Sequence, residues 1–159
     1  MGQGDLPLFQ PLRLEALRQH PEAFGSSVEE EQGTDLSYMI GASPNVTLGA
    51  FVDDALVGSI GLIVSAKLKQ RHKGHVFGVY VAPSCRGTGL ARALTDQLIV
   101  EARSVGLVLL TLSVTVGNEA ARWLYLNAGF ISYGIEPGSL KIGHDLYDTE
   151  LMALFLDPN

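Results

Sequence analysis

Cysteine is nearly missing from this 159-residue chain. The one residue present, Cys85, permits no intrachain disulfide and no multi-cysteine metal site, so no metal is expected. Positive charge is also short. Eleven Lys and Arg stand against 17 Asp and Glu, a formal charge of -6, which argues against non-specific nucleic-acid binding because that needs a basic face. A local basic site stays compatible with this balance. Long apolar runs are missing too: the longest apolar-rich stretch, LVGSIGLIVSA, is too short to span a bilayer. The opening MGQGDLPLFQ shows no basic segment followed by an apolar core, so no signal peptide is expected. With no internal repeat, low-complexity block or linker in view, the expectation is one soluble, cytoplasmic domain over residues 1–159, without membrane attachment.

What is present is apolar and finely punctuated. The composition is 47% hydrophobic and 18% charged, which marks a globular chain able to bury a full core. PLRLEALRQH puts Leu12, Leu14 and Leu17 on one helical face, and PEAFG ends that helix. SSVEEEQGTDLSYMIGA reads as a weaker second helix interrupted near Gly33. NVTLGAFVDDALVGSIGLIVSA is two β-rich runs joined at DDA, a hairpin pattern. KLKQRHKG reads as a basic loop and HVFGVYVA as a third strand. A helix is expected from Gly89 to Ser104, with Leu90, Leu94 and Leu98 recurring every fourth residue. LVLLTLSVTV is a continuous apolar strand of the kind covered on both faces. In NEAARWLYLNAG, Asn118 is the expected N-cap and Gly129 the expected stop. FISYGI and DLYDTELMALFL close the chain as strands. The order implies an α+β fold built on a mixed sheet.

The segment VYVAPSCRGTGLARAL places a cation and two glycines on the corner between a strand and a helix. A helix start offers N–H groups without intrahelical partners and a partial positive charge. Glycine lets a ligand approach the backbone and allows positive φ. With Arg86 beside them, Gly87 and Gly89 make either an anion cradle suited to phosphate or simply a tight turn. A P-loop pattern, G-x-x-x-x-G-K-[ST], does not occur. A dinucleotide fingerprint fails at its third position, where Arg92 stands in place of a small residue.

A third pattern, [RQ]-x-x-G-x-[GA], is met by Arg86, Gly89 and Ala91. Downstream, NEAARWLYLNAGF matches N-x-x-A-x-x-x-Y-x-x-x-G-F at Asn118, Ala121, Tyr125, Gly129 and Phe130. The two segments, in this order and spacing, resemble the acyl-CoA loop and the following helix of the GNAT superfamily of N-acetyltransferases. The flanks LRLEALRQHPEAFGSS and YDTELMALFL extend the resemblance over nearly the whole chain. It implies a mixed, mostly antiparallel sheet flanked by helices on both faces. One departure is visible: only MGQGDLPLF precedes the first helix, so the family's first strand is short or missing. The neighbouring sheet edge is then exposed or covered by a partner chain, as in a homodimer.

The resemblance implies acetyl-CoA as cosubstrate and a primary amine, on a small molecule or peptide, as acceptor, with direct attack in a ternary complex. It casts the backbone of Arg86, Gly87, Thr88, Gly89, Leu90 and Ala91 as pyrophosphate ligands. Val79 and Val81 become main-chain contacts for the pantetheine arm, as well as core residues. Tyr125 matches the tyrosine that points at the CoA sulfur, where a phenol stays protonated at neutral pH and can donate; a packed core aromatic is the alternative. Asn118 caps its helix and is placed to touch the cofactor. On the acceptor side, Glu29, Glu30 and Glu31 offer an acidic lining or a solvated helix face, His75 a proton relay or an exposed strand end, and His144, Tyr147 and Asp148 lie near the last hairpin. No base is assigned. Cys85 is expected to be a packed side chain rather than a nucleophile, and Trp123 a core residue. The rival function is a CoA-binding sensor or interaction module that has lost turnover.

Overall fold

The computed structural model describes residues 1–40 and 43–156. Helix α1 spans Leu6–Gln19 and a four-residue α2 spans Val28–Glu31. A hairpin of β1 (Val46–Val52) and β2 (Ala55–Val64) follows, then β3 (Lys73–Val81), α3 (Leu90–Ser104), β4 (Leu109–Thr115), α4 (Glu119–Asn127), β5 (Ile131–Ile142) and β6 (Asp145–Phe155). The six strands form one sheet in the order β1-β2-β3-β4-β6-β5. Among the described residues every neighbouring pair is antiparallel except β3 and β4, which are joined through α3 and run parallel. This is the mixed, mostly antiparallel sheet that the resemblance implies.

Helices cover both faces, and β3 shows how. Val76 packs with α3 residues Leu94 and Leu98, while its neighbour Phe77 packs toward Phe9 of α1. Strand alternation would send Gly78 to the α3 side and Val79 to the α1 side. Instead Val79 and Val81 join the α3 cluster and Tyr80 joins Leu12 and Ala16 of α1. The phase flips because the β2–β3 register slips at this point: Gly61 faces Phe77, but Ser59 faces Tyr80. The extra residue is a β-bulge, and Gly78, at φ 63, supplies the left-handed backbone it needs.

Several expectations are sharpened. No strand precedes α1 among the described residues; Gln3–Asp5 form a 3₁₀ turn, and the Met1 amine donates to the carbonyl of Thr47 on edge strand β1 at 2.7 Å. The first helix begins at Leu6, five residues before the PLRLEALRQH stretch, and passes through Pro11. The second helix shrinks to one turn plus a 3₁₀ turn at Ser37–Met39, because Gly33 adopts φ 79 between them; its expected end at Gly41 and Ala42 lies outside the described residues. Lys73 and Gly74 belong to β3 rather than to the basic loop. Trp123 is a correction: it is 59% exposed, on the outer face of α4, and Tyr125 and Phe130 take the core positions instead. Among the described residues, no helix is long and apolar enough to cross a membrane.

Candidate functional site

The parallel ladder between β3 and β4 is three residues long, from Lys73↔Leu109 to His75↔Thr111. Both strands continue, β3 to Val81 and β4 to Thr115, without further pairing to each other. They part into a wedge whose edges carry unsatisfied strand backbone, an arrangement that calls for a guest able to hydrogen-bond. The Thr115 hydroxyl donates to the carbonyl of Glu22, which ties the α1–α2 connection across the wedge.

Two cavities occupy this wedge. The larger, about 800 Å³, is lined by Val79, Val81, Arg86, Gly87, Gly89, Leu90, Ala91 and Asn118, so it gathers eight of the sequence-predicted residues. Cys85 and Tyr147 also line it. Thr88 does not; its hydroxyl donates back to the carbonyl of Cys85 at 2.6 Å and shapes the turn. The smaller cavity, about 340 Å³, contains Tyr125, His75 and Glu31 together with Arg13, Phe24 and Tyr38. Val79, Thr115, Asn118 and Ala121 line both, so the two spaces meet at the open mouth of the wedge.

At the glycine corner the chain makes a 3₁₀ turn at Pro83–Cys85, then passes through Gly87 at φ 75 and Gly89 at φ 87 into α3. The first helical bond beyond the corner is Ala93 N–H to Gly89 C=O. Among the described residues, none accepts from the N–H groups of Gly87, Thr88, Gly89, Leu90, Ala91 or Arg92. Six successive donors therefore stand at the positive end of a 15-residue helix, unpaired and beside the larger cavity. Side chains built on Gly87 or Gly89 would meet nothing within 4 Å. The glycines are thus needed for backbone shape and open approach, not for packing.

Arg86 departs from the expectation in its main chain, whose N–H donates to the Pro83 carbonyl at 3.3 Å, while its side chain lines the cavity and is held by neighbours. Its Nε donates to the Val81 carbonyl at 3.0 Å, and Nη2 reaches Gln19 Oε1 at 3.3 Å and His20 Nε2 at 3.1 Å. Its guanidinium lies 5.6 Å from the centre of the Tyr80 ring. Tyr80 in turn donates to Glu15 Oε1 at 2.8 Å; burial first, then the Glu15 contact, push this phenol up to about 12. The cation thereby latches the loop to the end of α1 at the edge of the cavity, beside the unpaired main-chain donors.

Tyr125 is buried, with its ring edge-on to Phe130 at 5.7 Å. Its hydroxyl has no hydrogen-bond partner among the described residues. It is not sealed in either, because the one described polar side-chain atom that is both enclosed and unpartnered is Thr149 Oγ1. The phenol therefore opens onto the smaller cavity, and desolvation holds it protonated well above the usual range for tyrosine. Asn118 does cap α4, its Oδ1 accepting from Ala121 N–H at 3.2 Å.

The three glutamates separate. Glu29 is exposed, and Glu30 closes a capping box with Ser27. Glu31 is buried and bound to Arg13 through two parallel bonds, Nε to Oε2 and Nη2 to Oε1, each 2.8 Å. It cannot act as the free acidic lining that the sequence suggested, because its charge is already matched. His75 is exposed at the rim of the smaller cavity, as the strand-end reading expected, with Nδ1 3.3 Å from Thr111 Oγ1, and partial desolvation lowers its pKa. Asp148 accepts from Gly138 N–H at 2.7 Å within the last hairpin, and His144 is exposed at its turn.

Sequence reading missed Arg13 and Phe24. Arg13 shares the buried stripe of α1 with Phe9, Leu12, Ala16 and Leu17, so a cation on an otherwise apolar helical face was the available signal. Its guanidinium stacks 4.8 Å from the centre of the Phe24 ring.

Comparison with known proteins agrees with this geometry. The model of the acetyltransferase (GNAT) family matches residues 10–130. Mycothiol acetyltransferase from Geodermatophilus obscurus is 36% identical over 63 residues, which is 40% of this chain and 20% of that protein, so the chain accounts for about a fifth of that relative's length. Among solved structures, an acetyltransferase of the GNAT family from Streptococcus pneumoniae superposes with a TM-score of 0.84 at 22% identity, covering 99% of this chain and 96% of that one. Ribosomal-protein-alanine N-acetyltransferase from Brucella melitensis gives 0.82 at 22%, covering 98% and 97%. The yncA protein of Salmonella typhimurium, solved with its cofactor acetyl-CoA, gives 0.82 at 21%, covering 100% and 92%. At these identities the structural likeness is one of fold.

Proposed function

The chain belongs to the acetyltransferase (GNAT) family, and from that premise we propose that it moves an acetyl group from acetyl-CoA to a primary amine of a small molecule or peptide, by direct attack in a ternary complex. The observation that carries this reading is the run of six unpaired N–H groups from Gly87 to Arg92, beside a cavity that adjoins the one lined by Tyr125. One domain over residues 1–159, acting in the cytoplasm, accompanies the reading, in keeping with a lone, free cysteine.

The residues present fit acetyl-CoA. Its diphosphate needs several donors and a positive field, and the N–H groups of Gly87 to Arg92 at the head of α3 supply both. Its long arm needs extended backbone with free hydrogen-bonding groups, and β3 offers that beyond His75, where it no longer pairs with β4. When bound, the thioester supplies an acyl group activated toward amines.

The remaining roles fall to side chains. Val79 and Val81 keep β3 anchored in the α3 core along the stretch that no longer pairs with β4. Such positioning is worth several kcal/mol of barrier in general. Tyr125 Oη holds a proton at neutral pH and can share it with a departing thiolate. With Glu31 committed to Arg13, His75 is the cavity-lining imidazole placed to relay a proton from the incoming ammonium to solvent.

Incubation with acetyl-CoA and a panel of amines, following thiol release, tests the proposal. Acetyl-CoA-dependent turnover of at least one amine is expected. Saturable acetyl-CoA binding without turnover on any amine would replace this reading with that of a CoA-binding module.

A further inference from the structure

Arg13 is a cation with donors to spare. Its side chain is 7% exposed, and Glu31, at 4%, takes only Nε and one N–H of Nη2. A guanidinium carries five N–H groups, so Nη1 and the second N–H of Nη2 are left over on the outer end of the fork. Nη1 has no acceptor among the described residues. It is also not enclosed, since Thr149 Oγ1 alone combines enclosure with lack of a partner among them. It therefore opens onto the smaller cavity that Arg13 lines together with Tyr125. The β3 bulge lies beside it: a Cβ built on Gly78 would be 3.9 Å from Nη1.

We propose that the outer edge of the Arg13 guanidinium binds a carboxylate of the acceptor, so that the acceptors are amines bearing a carboxylate, of the α-amino-acid type. Charge selects this class over others. The lining holds Arg13 and Glu31, which cancel, with His75, Tyr38 and Tyr125 as the other titratable groups. A zwitterion, cationic at the amine and anionic at the carboxylate, enters a neutral cavity without leaving net charge behind. A polyamine would find no free carboxylate there. A phosphate dianion would meet one guanidinium already half neutralised. The end-on fork of arginine matches a carboxylate in two parallel bonds, which lysine cannot provide. Phe24, Met39, Ile63 and Leu112 supply apolar wall for the acceptor's side chain. Glu31 is then a positioning residue that fixes the plane of the fork.

This inference names the acceptor for the transfer proposed above, and binding tests it apart from turnover. Protein saturated with CoA is titrated by calorimetry with two matched pairs, N-acetyl-L-methionine against N-acetyl-3-(methylthio)propylamine, and N-acetyl-L-phenylalanine against N-acetylphenethylamine. The carboxylate member is expected to bind about 10 to 100-fold more tightly in at least one pair, as a charge-assisted bond pair would give. The double variant Arg13→Gln, Glu31→Gln, which removes both charges together, is expected to bring that ratio to about 1 while CoA binding is kept. Equal binding within both pairs, or no binding of any of the four, overturns the inference, as does a ratio unchanged in the double variant. Thiol release from acetyl-CoA with the parent amines is measured alongside. Turnover that ignores the carboxylate sinks this inference and leaves the transferase; carboxylate-dependent binding without turnover sinks the transferase and leaves this inference.

Discussion

His75 and Thr111 form the last rung of the parallel ladder between β3 and β4, and their side chains meet there at 3.3 Å. Past this rung the two strands share no hydrogen bonds of their register, and the wedge begins. The free backbone proposed to receive the cofactor arm lies on the far side of that pair.

Replacing Gly89 by valine puts a β-branched side chain at φ 87, where L-residues are strained by roughly 1–3 kcal/mol. The new Cβ meets nothing in the protein, so the sheet and α3 should survive. CoA affinity should fall by more than about tenfold, because the side chain stands among the free N–H groups. Calorimetric titration of CoA, with circular dichroism as a control, checks both halves.

Tyr125→Phe should lower turnover by about 10²-fold, the lower end of general acid contributions, with the acetyl-CoA dissociation constant unchanged. Stability should move by less than about 0.5 kcal/mol, since the hydroxyl has no partner to lose. Parent-level turnover in this variant would remove the proton-donor role.

Glu31→Ala should be far more damaging than Glu30→Ala. The first strands the buried Arg13 charge and should cost about 3–5 kcal/mol. The second loses an exposed capping-box contact, worth roughly 1 kcal/mol. Urea denaturation midpoints compare them directly.

Alkaline pH should weaken the fold through Tyr80. Its phenol is raised from an ordinary 10 to about 12 in the folded protein, so the unfolded chain gives up this proton first. Stability from this group is complete below pH 10 and is lost as pH rises toward about 12. The parent should therefore lose more stability between pH 9 and about 11.5 than Tyr80→Phe does, measured by denaturant midpoint at each pH.

Local chemistry made much of this architecture legible in advance. RGTGLA marked the head of α3, Asn118 and Gly129 bracketed α4, and DDA marked a turn whose Asp53 and Asp54 both adopt positive φ. Long-range relationships were not legible. Arg13 and Glu31 lie 18 residues apart, and nothing near either names the other. The first closing strand was expected only over FISYGI, yet β5 runs on through Pro137 and Gly138 to Ile142. A register irregularity absorbs them, and an edge strand tolerates a proline there. The expected helix left out Leu6–Gln10, yet α1 begins there, with Pro7 in the first turn, where a missing N–H costs little. The bulge at Gly78 set the phase of β3 through tertiary packing on two faces, which one strand's pattern cannot display.

The central claim is that unpaired main-chain donors at the start of α3 receive the diphosphate of coenzyme A. Isothermal calorimetry of the folded protein with CoA tests it most directly, run in parallel on dephospho-CoA and on pantetheine. The account predicts saturable binding of both diphosphate-bearing ligands and a large loss of affinity for pantetheine. Pantetheine binding as tightly as CoA, or no heat with CoA at millimolar concentration, would contradict it.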